Sequence, residues 1–399
     1  MPLRILHFSI TPLAGQPYRL VKALQRHSNC EVHLIDLDHW NIYPQDIVFS
    51  QELERCIDLA KKTDIIHLHN YLDLNSTEFL PIRFDELKLE GKSIIRQMHS
   101  EPSLIAKKMN ISIADVLDCP LPTLVISQFQ ERYYKNAYVV ANNIPIFDTA
   151  YMPDDKANRN DIIFSPTSSS SAWEKRWNTK GAPETIQLLK TISKSTGASF
   201  EVITNSTLNN VLTKKKISYI VLDDMVTGSF HLSGLEGVSL AKPTLTYLDD
   251  RTKHIMMEIS GASSLPFINI RLEDALPLIK YLLANRDEGE ELGQFGRQWI
   301  ENYWNEEIII NQYIEVYDKL LQNPNLLTRQ KNLKLEDKNE TFFALTLPDL
   351  IYESRKTQAT NQYYIISKFL NLISRPMKNN FDKLIAKLKR EFSQVIFKK

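Results

Sequence analysis

Residues 218–248, SYIVLDDMVTGSFHLSGLEGVSLAKPTLTYL, contain a short apolar run, a loop, a segment with one central glutamate, then Lys242-Pro243 and a second apolar run. The order is strand, loop, short helix, strand, with both strands buried. A helix N-terminus offers unpaired N–H groups and partial positive charge, so the loop that feeds one is a natural seat for a phosphate. A carboxylate in the first turn, here Glu236, can accept hydrogen bonds from vicinal hydroxyls such as those of a ribose. Ser233-x-x-Glu236 also has the form of a capping box, in which the same two side chains satisfy the helix's own donors. Both readings stand at this point.

The flanking chain repeats the pattern. Apolar runs at 3–9, 31–36, 65–69, 93–98, 123–127 and 138–140 alternate with helical segments such as 17–26 and 51–61. A second series follows at 162–165, 200–204, 219–222, 244–247 and 267–270, with a helix near 184–195. Strands separated by helices imply parallel pairing in doubly wound sheets. Residues 148–160, with Pro153, several Asp and Asn and no apolar period, read as a linker. The expected fold class is α/β: two Rossmann-like doubly wound domains facing a cleft, residues 1–150 and 151–322, followed by a basic helical tail at 323–399.

With 399 residues, 43% hydrophobic and 24% charged, the chain has room for that arrangement. Cys30, Cys56 and Cys119 are odd in number and in no metal-ligand spacing, which fits core residues in a reducing compartment. The amino-terminal apolar run is short and interrupted by Arg4 and His7, so it reads as a first strand and not a signal peptide. A cytoplasmic protein is expected, with no nucleic-acid partner. The formal net charge of zero conceals an asymmetry, because residues 354–399 carry eleven Lys and Arg against two acids. Phe381, Leu384, Ile385, Leu388, Phe392 and Ile396 recur there at helical spacing among lysines. Such a helix suits a peripheral position on an anionic membrane surface, or equally a terminal helix docked on its own protein.

The segment around Glu236 resembles the donor-binding element of GT-B glycosyltransferases, in particular the large retaining family four or group 1 enzymes. Leu235, Glu236, Lys242 and Pro243 match its L-E-A-x-A-x-G-K-P helix, and Gly237, Ser239 and Ala241 fall at its small positions. Other stretches agree in order. The loop at Gly15 is similar to the family's first glycine loop, Asp64 to His69 to its D-[IV]-[IV]-H-x-H strand end, and His99 to the histidine of T-x-H. Lys175, Arg176 and Lys180-Gly181 resemble the basic element that grips the donor diphosphate. Residues 313–321 look like the closing helix that crosses back to the first domain.

The resemblance implies transfer of a sugar from a nucleoside diphosphate sugar to a saccharide or lipid-linked acceptor, retaining and metal-independent, in surface polysaccharide assembly. It assigns Glu236 to the ribose, Lys180 with Lys175 or Arg176 to the diphosphate, and His99 to the sugar or acceptor. Gly234, Leu235, Phe230 and His231 would complete the donor side, with Gly15, His69 and His99 on the acceptor side. No cofactor beyond the co-substrate is implied. Asp36-Leu37-Asp38 lies away from the donor side, and with Asp223-Asp224 and Asp249-Asp250 it reads as loop, so no metal is expected. The alternative for Lys175, Arg176 and Lys180 is a solvated charged loop, the usual outcome for isolated lysines, but a Lys-Gly at this place in the order favours the functional reading. The family's first glutamate falls on Gly228. That departure leaves room for a catalytically silent GT-B module that binds saccharide or protein partners. A nicotinamide-dependent enzyme is disfavoured, because no G-x-G-x-x-G follows a strand.

Overall fold

The computed structural model describes residues 2–154, 159–166, 169–172 and 179–327. The first half comprises β1 (Arg4–Ser9), α1 (Gln16–His27), β2 (Glu31–Asp36), β3 (Ile47–Val48), α2 (Leu53–Lys62), β4 (Ile65–His69) and α3 (Phe84–Leu89). It continues with β5 (Ser93–Met98), α4 (Pro102–Met109), α5 (Ile113–Leu117), β6 (Thr123–Ile126) and β7 (Tyr138–Val140). These seven strands form one parallel sheet in the order β3-β2-β1-β4-β5-β6-β7.

The second half holds β8 (Asn160–Phe164), α6 (Ala182–Thr196), β9 (Phe200–Val202), α7 (Leu208–Lys216), β10 (Ser218–Leu222) and α8 (Leu232–Ser239). Then come β11 (Thr244–Thr246), α9 (Asp250–Ser260), β12 (Ile268–Asn269), α10 (Ala275–Ala284), α11 (Arg286–Tyr303) and α12 (Glu306–Gln322). Its sheet is also parallel, ordered β12-β11-β10-β8-β9. In each sheet the strand order reverses once, between β1 and β4 and between β10 and β8. Ligands of open α/β sheets bind beyond the strand ends at such points.

Glycine decides how closely α8 lies on its sheet. A Cβ at Gly237 would stand 2.6 Å from Thr244 Oγ1 and 2.9 Å from a Val221 methyl, and one at Gly234 would stand 2.5 Å from the Asp223 carboxylate. Hence the helix can rest directly on β10 and β11. At the other end of the second half, α12 starts at the Asn305 cap, which accepts the Ile308 N–H at 3.0 Å. Its buried stripe of Ile309, Ile310, Tyr313, Val316, Tyr317 and Leu320 has helical spacing. That stripe meets the first sheet, where Tyr313 bonds to Gln97 of β5 and Tyr317 to His67 of β4. The crossing of the last helix is therefore as the sequence implied.

Several elements carried too little apolar pattern to be foreseen. β3 has two residues. α7 buries only Leu212 and Lys215, and α9 opens on a run of polar residues. No helix among the described residues is long and apolar enough to cross a membrane. The basic stretch 354–399 lies outside the described residues.

Candidate functional site

The site is built at the reversal point of the second sheet, where Ser165 follows β8 and Asp223-Asp224 follow β10. Lys180 stands just before α6, whose N-cap Gly181 has φ of 57°. A side chain there would come 2.9 Å from Val226 and 3.1 Å from Ala172, so this turn requires glycine. Lys180 is buried, and its Nζ lies 2.6 Å from Asp223 Oδ1. The solvated reading of Lys180 is thus overturned. Lys175 and Arg176 lie outside the described residues.

Asp223 also accepts the His231 N–H at 2.7 Å through Oδ2. Because His231 is the N-cap of α8, the chain's own carboxylate occupies the anion seat expected for a phosphate at that helix end. Burial alone would push the Asp223 carboxyl up. Lys180 and His231 outweigh it and hold the group below the usual carboxylate range. Burial lowers the His231 imidazole, whose Nδ1 is buried without a hydrogen bond and stands 3.6 Å from Asp224 Oδ2. Asp224 folds the loop by accepting the N–H groups of Val226 and Thr227, at 2.8 and 2.9 Å. Both aspartates are loop residues, as the sequence implied, and both are fully buried.

Glu236 is 5% exposed and sits in the second turn of α8, not the first. No capping box forms. Ser233 lies inside the helix, with its hydroxyl 2.9 Å from Ser165 Oγ and 2.9 Å from Lys215 Nζ. The Glu236 carboxylate accepts from Lys215 Nζ at 2.8 Å and from Arg19 Nη2 at 2.9 Å. Burial would raise its pKa, but Lys215 and Arg19 prevail and lower it. Arg19 comes from α1 of the first half, so this triad joins the two halves. Its Nε and Nη1 are buried without hydrogen-bond partners.

Two more exchanges join the halves. Arg132 clamps both oxygens of Asp249, and Arg251 clamps Glu131. Asp249 caps α9 through the Thr252 N–H at 2.9 Å. Its carboxylate oxygen would lie 3.0 Å from a Cβ at Gly228, whose φ is 86°. A side chain at the position of the family's first glutamate would be strained by that backbone and would press on Asp249 beside it. Asp249 is accordingly an organising residue of the interface.

Two expected donor-side residues serve the core instead. Phe230 is fully buried, stacked on Phe267 with centroids 5.8 Å apart and edge-on to Trp304. Leu235 is equally buried in the same cluster, so neither side chain is available to a donor. Gly234 supports the site by letting α8 approach Asp223. On the acceptor side Gly15 caps α1 in the left-handed region, against the ring of Tyr43. His69 Nδ1 lies 3.0 Å from His99 Nε2, and His69 Nε2 lies 3.0 Å from His7 Nδ1. The ring nitrogens of His7, His67 and His69 lie within 4.8 Å of one another, a grouping the sequence reading missed.

Beyond these histidines, the sequence reading missed Arg19, Lys215, Arg132 and Tyr317. Parallel register pairs His7 with His67, so strand order would have revealed the histidine neighbours. Lys215 is the middle of three lysines and no local pattern marks it as the buried one.

No protein-family model matches the sequence, and no curated protein matches it. Solved structures do. The chain is similar to a glycosyltransferase from Rickettsia africae, with TM-score 0.52, 12% identity, and coverage of 81% of this chain and 99% of that one. It is similar to sucrose-phosphate synthase from Thermosynechococcus elongatus, with TM-score 0.51, 9% identity, and coverage of 80% and 99%. It is also similar to Anabaena HepE in complex with UDP and glucose, with TM-score 0.50, 11% identity, and coverage of 79% and 100%. Identities this low establish the fold, and the fold is GT-B.

Proposed function

We propose that this chain is a glycosyltransferase that moves a sugar from a nucleoside diphosphate sugar to a saccharide or lipid-linked acceptor. The observation that carries the reading is the meeting of Glu236, Lys215, Lys180 and Asp223 at the reversal point of the second sheet of a GT-B fold. A nucleotide entering there offers ribose hydroxyls to Glu236, whose two oxygens already sit among cations. Departure of the diphosphate builds negative charge, and a cation beside it lowers the barrier. Lys180 fills that role by exchanging Asp223 for phosphate oxygens. In a retaining route the departing diphosphate oxygen takes the acceptor proton on the same face, and no protein nucleophile is needed. His99 then holds a hydroxyl of the sugar or acceptor. The neighbour solved with UDP and glucose supports a nucleotide sugar as the donor class. We place the reaction in surface polysaccharide assembly, with the basic segment at 354–399 holding the chain to an anionic membrane.

The test is a thermal-shift panel of UDP-, GDP-, ADP- and dTDP-sugars on wild type and Glu236→Gln, with chelator and with added Mg2+ or Mn2+. A ligand at about 100 times its Kd stabilises the folded state by about 2.7 kcal/mol. A shift for one nucleotide, lost in the variant and indifferent to chelator, is expected. No shift for any nucleotide would refute the reading. A silent module is favoured by one observation, the glycine at position 228 with its left-handed φ, packed beside Asp249. Donor binding without product or hydrolysis in any acceptor screen would establish that alternative.

A further inference from the structure

We propose that Asn70 sets the hydroxyl of Ser100 as a hydrogen-bond donor at the C-terminal edge of the first sheet, and that this donor takes a sugar oxygen of the donor or acceptor. The use of the hydroxyl rests on the glycosyltransferase reading, whereas its direction does not.

Asn70 is the first residue past β4, fully buried, with φ of 53°. Side chains disfavour that left-handed conformation, asparagine least among them. Main-chain bonds on both sides hold it there. The Asn70 N–H continues the ladder to the Gln97 carbonyl at 2.8 Å, and the Asn70 carbonyl accepts from Arg96 Nη2 at 2.8 Å and Nε at 3.3 Å. Arg96 is itself fully buried and forms no ion pair among the described residues, so apart from the Met109 sulfur at 3.1 Å this carbonyl is what its guanidinium meets.

The Asn70 side chain then reaches the loop that leaves β5. Its Oδ1 accepts the N–H groups of His99 and Ser100, at 3.0 and 3.1 Å. Peptide N–H groups only donate, so the atom they meet is the amide oxygen and the remaining atom is the nitrogen. That Nδ2 lies 3.0 Å from Ser100 Oγ. An amide N–H also only donates, hence the Ser100 oxygen accepts and its own proton points elsewhere. The Ser100 carbonyl is taken by the Tyr134 hydroxyl at 2.7 Å, which holds the residue from its other side. No described residue accepts from Ser100 Oγ. The outcome is a half-buried hydroxyl on a fixed backbone with a spare proton, one residue beyond His99 and past the end of β5. Ligands of open α/β sheets bind at such strand ends. The hydroxyl and ring oxygens of a sugar are acceptors that suit a neutral donor held in this way.

An asparagine that only ends a strand would fix the loop and nothing else. Asn70→Asp separates the two roles. A carboxylate still accepts both N–H groups, but it cannot donate to Ser100 Oγ, which instead gives its proton to the carboxylate. The loop stays and the outward donor is lost.

Neutron diffraction from ligand-free crystals of the full chain exchanged into D2O reads the direction. Ser100 Oγ–D is expected to point away from Asn70, and an Oγ–D aimed at Asn70 overturns the proposal. Backbone hydrogen exchange at His99 and Ser100 should match between wild type and Asn70→Asp and be faster in Asn70→Gly, which keeps the left-handed φ without the amide. Equal exchange in all three would show that Asn70 holds nothing there. Calorimetric titration with UDP-glucose, GDP-mannose, ADP-glucose and dTDP-glucose, each beside its bare nucleotide, reads the use. Ser100→Ala and Asn70→Asp should each weaken the nucleotide sugar that binds wild type about 3- to 10-fold, the size of one neutral hydrogen bond, and leave the bare nucleotide unchanged. If the oxygen belongs to the acceptor, the same factor appears instead in the KM for a methyl glycoside at saturating donor. Equal weakening of sugar and bare nucleotide, no change in either quantity, or an Asn70→Asp that binds as wild type while Ser100→Ala is impaired overturns the proposal. Far-UV circular dichroism checks that the variants fold, and the wild-type neutron map decides alone if they do not. If Oγ–D is as stated and no nucleotide sugar binds, only the functional reading fails.

Discussion

Glu236→Gln is the sharpest perturbation of this structure, because it keeps the shape of the side chain and removes one charge from a buried triad. Lys215 is fully buried and Arg19 is 5% exposed, so both cations would remain out of water with their counter-ion gone. Breaking a buried pair from one side costs about 3–5 kcal/mol. We expect a loss of that size at pH 7. Adding Lys215→Met removes one stranded ammonium, and the double variant should recover about 1–3 kcal/mol relative to additive behaviour. The readout is the urea midpoint followed by tryptophan fluorescence, since Trp299 and Trp304 share a buried cluster with Leu235 and Val238 of α8. A protein of two halves need not unfold in one step, so the comparison concerns this transition alone. The carboxyl's folded pKa lies below its usual 4.5. Its stabilisation is thus present above that value and lost as pH falls through the folded pKa, and the gap between wild type and variant should narrow in acid. A loss under about 1 kcal/mol at pH 7, the range of exposed pairs, would refute the buried triad.

Acid should destabilise the protein through its histidines. Burial lowers His7 and His99 to about 3 and holds His67 and His69 well below 6.5. The unfolded chain takes up these protons below about pH 6.5 and the folded chain does not, so each costs about 1.4 kcal/mol per pH unit on acidification toward its folded value. A melting temperature unchanged between pH 7 and 5 would contradict this burial. Gly237→Ala drives a methyl into Thr244 and Val221 and should cost about 1–3 kcal/mol by overpacking, measured by denaturant midpoint; a neutral effect would mean α8 does not rest on β10. Lys180→Met should weaken nucleoside diphosphates more than monophosphates in calorimetric titration, and equal weakening would show that Lys180 serves only to neutralise Asp223.

The sheets were legible because most of their strands are apolar runs bounded by turns, and β2, β4, β5 and β7 begin and end where the apolar pattern does. The site was legible in its backbone and less so in its partners. Glu236 and Lys180 stand in the segments that drew attention, yet Glu236 neither caps α8 nor stands free. Its partners Lys215 and Arg19 lie 21 and 217 positions away, one inside a run of lysines and the other in a helix of the opposite half. Local pattern reports which face of an element is apolar. It carries no information about which of several charges is drawn inward by a counter-ion brought near only by the tertiary fold.

Several ion pairs between the halves bear on how a donor would enter, among them Arg26–Glu306 at 2.7 Å. Arg19–Glu236, Arg132–Asp249 and Arg251–Glu131 each set a cation of one half against a carboxylate of the other. Opening the halves moves all six groups into water, where each is well solvated, so desolvation offsets much of the Coulomb energy gained on closing. The net cohesion that these charges supply is therefore small for their number. Asp249 extends the logic. It packs beside Gly228, where a side chain would be strained, while its own carboxylate is held by an arginine from the first half. A donor that draws Arg19 away from Glu236 weakens one of these exchanges, and Arg132→Met weakens a second. If donor entry is limited by opening, Arg132→Met should raise the association rate of the nucleotide that shifts wild type in stopped-flow measurements. If the rate is unchanged or falls, the halves do not part at this exchange during binding, and Arg132 would instead belong to the donor's own contacts.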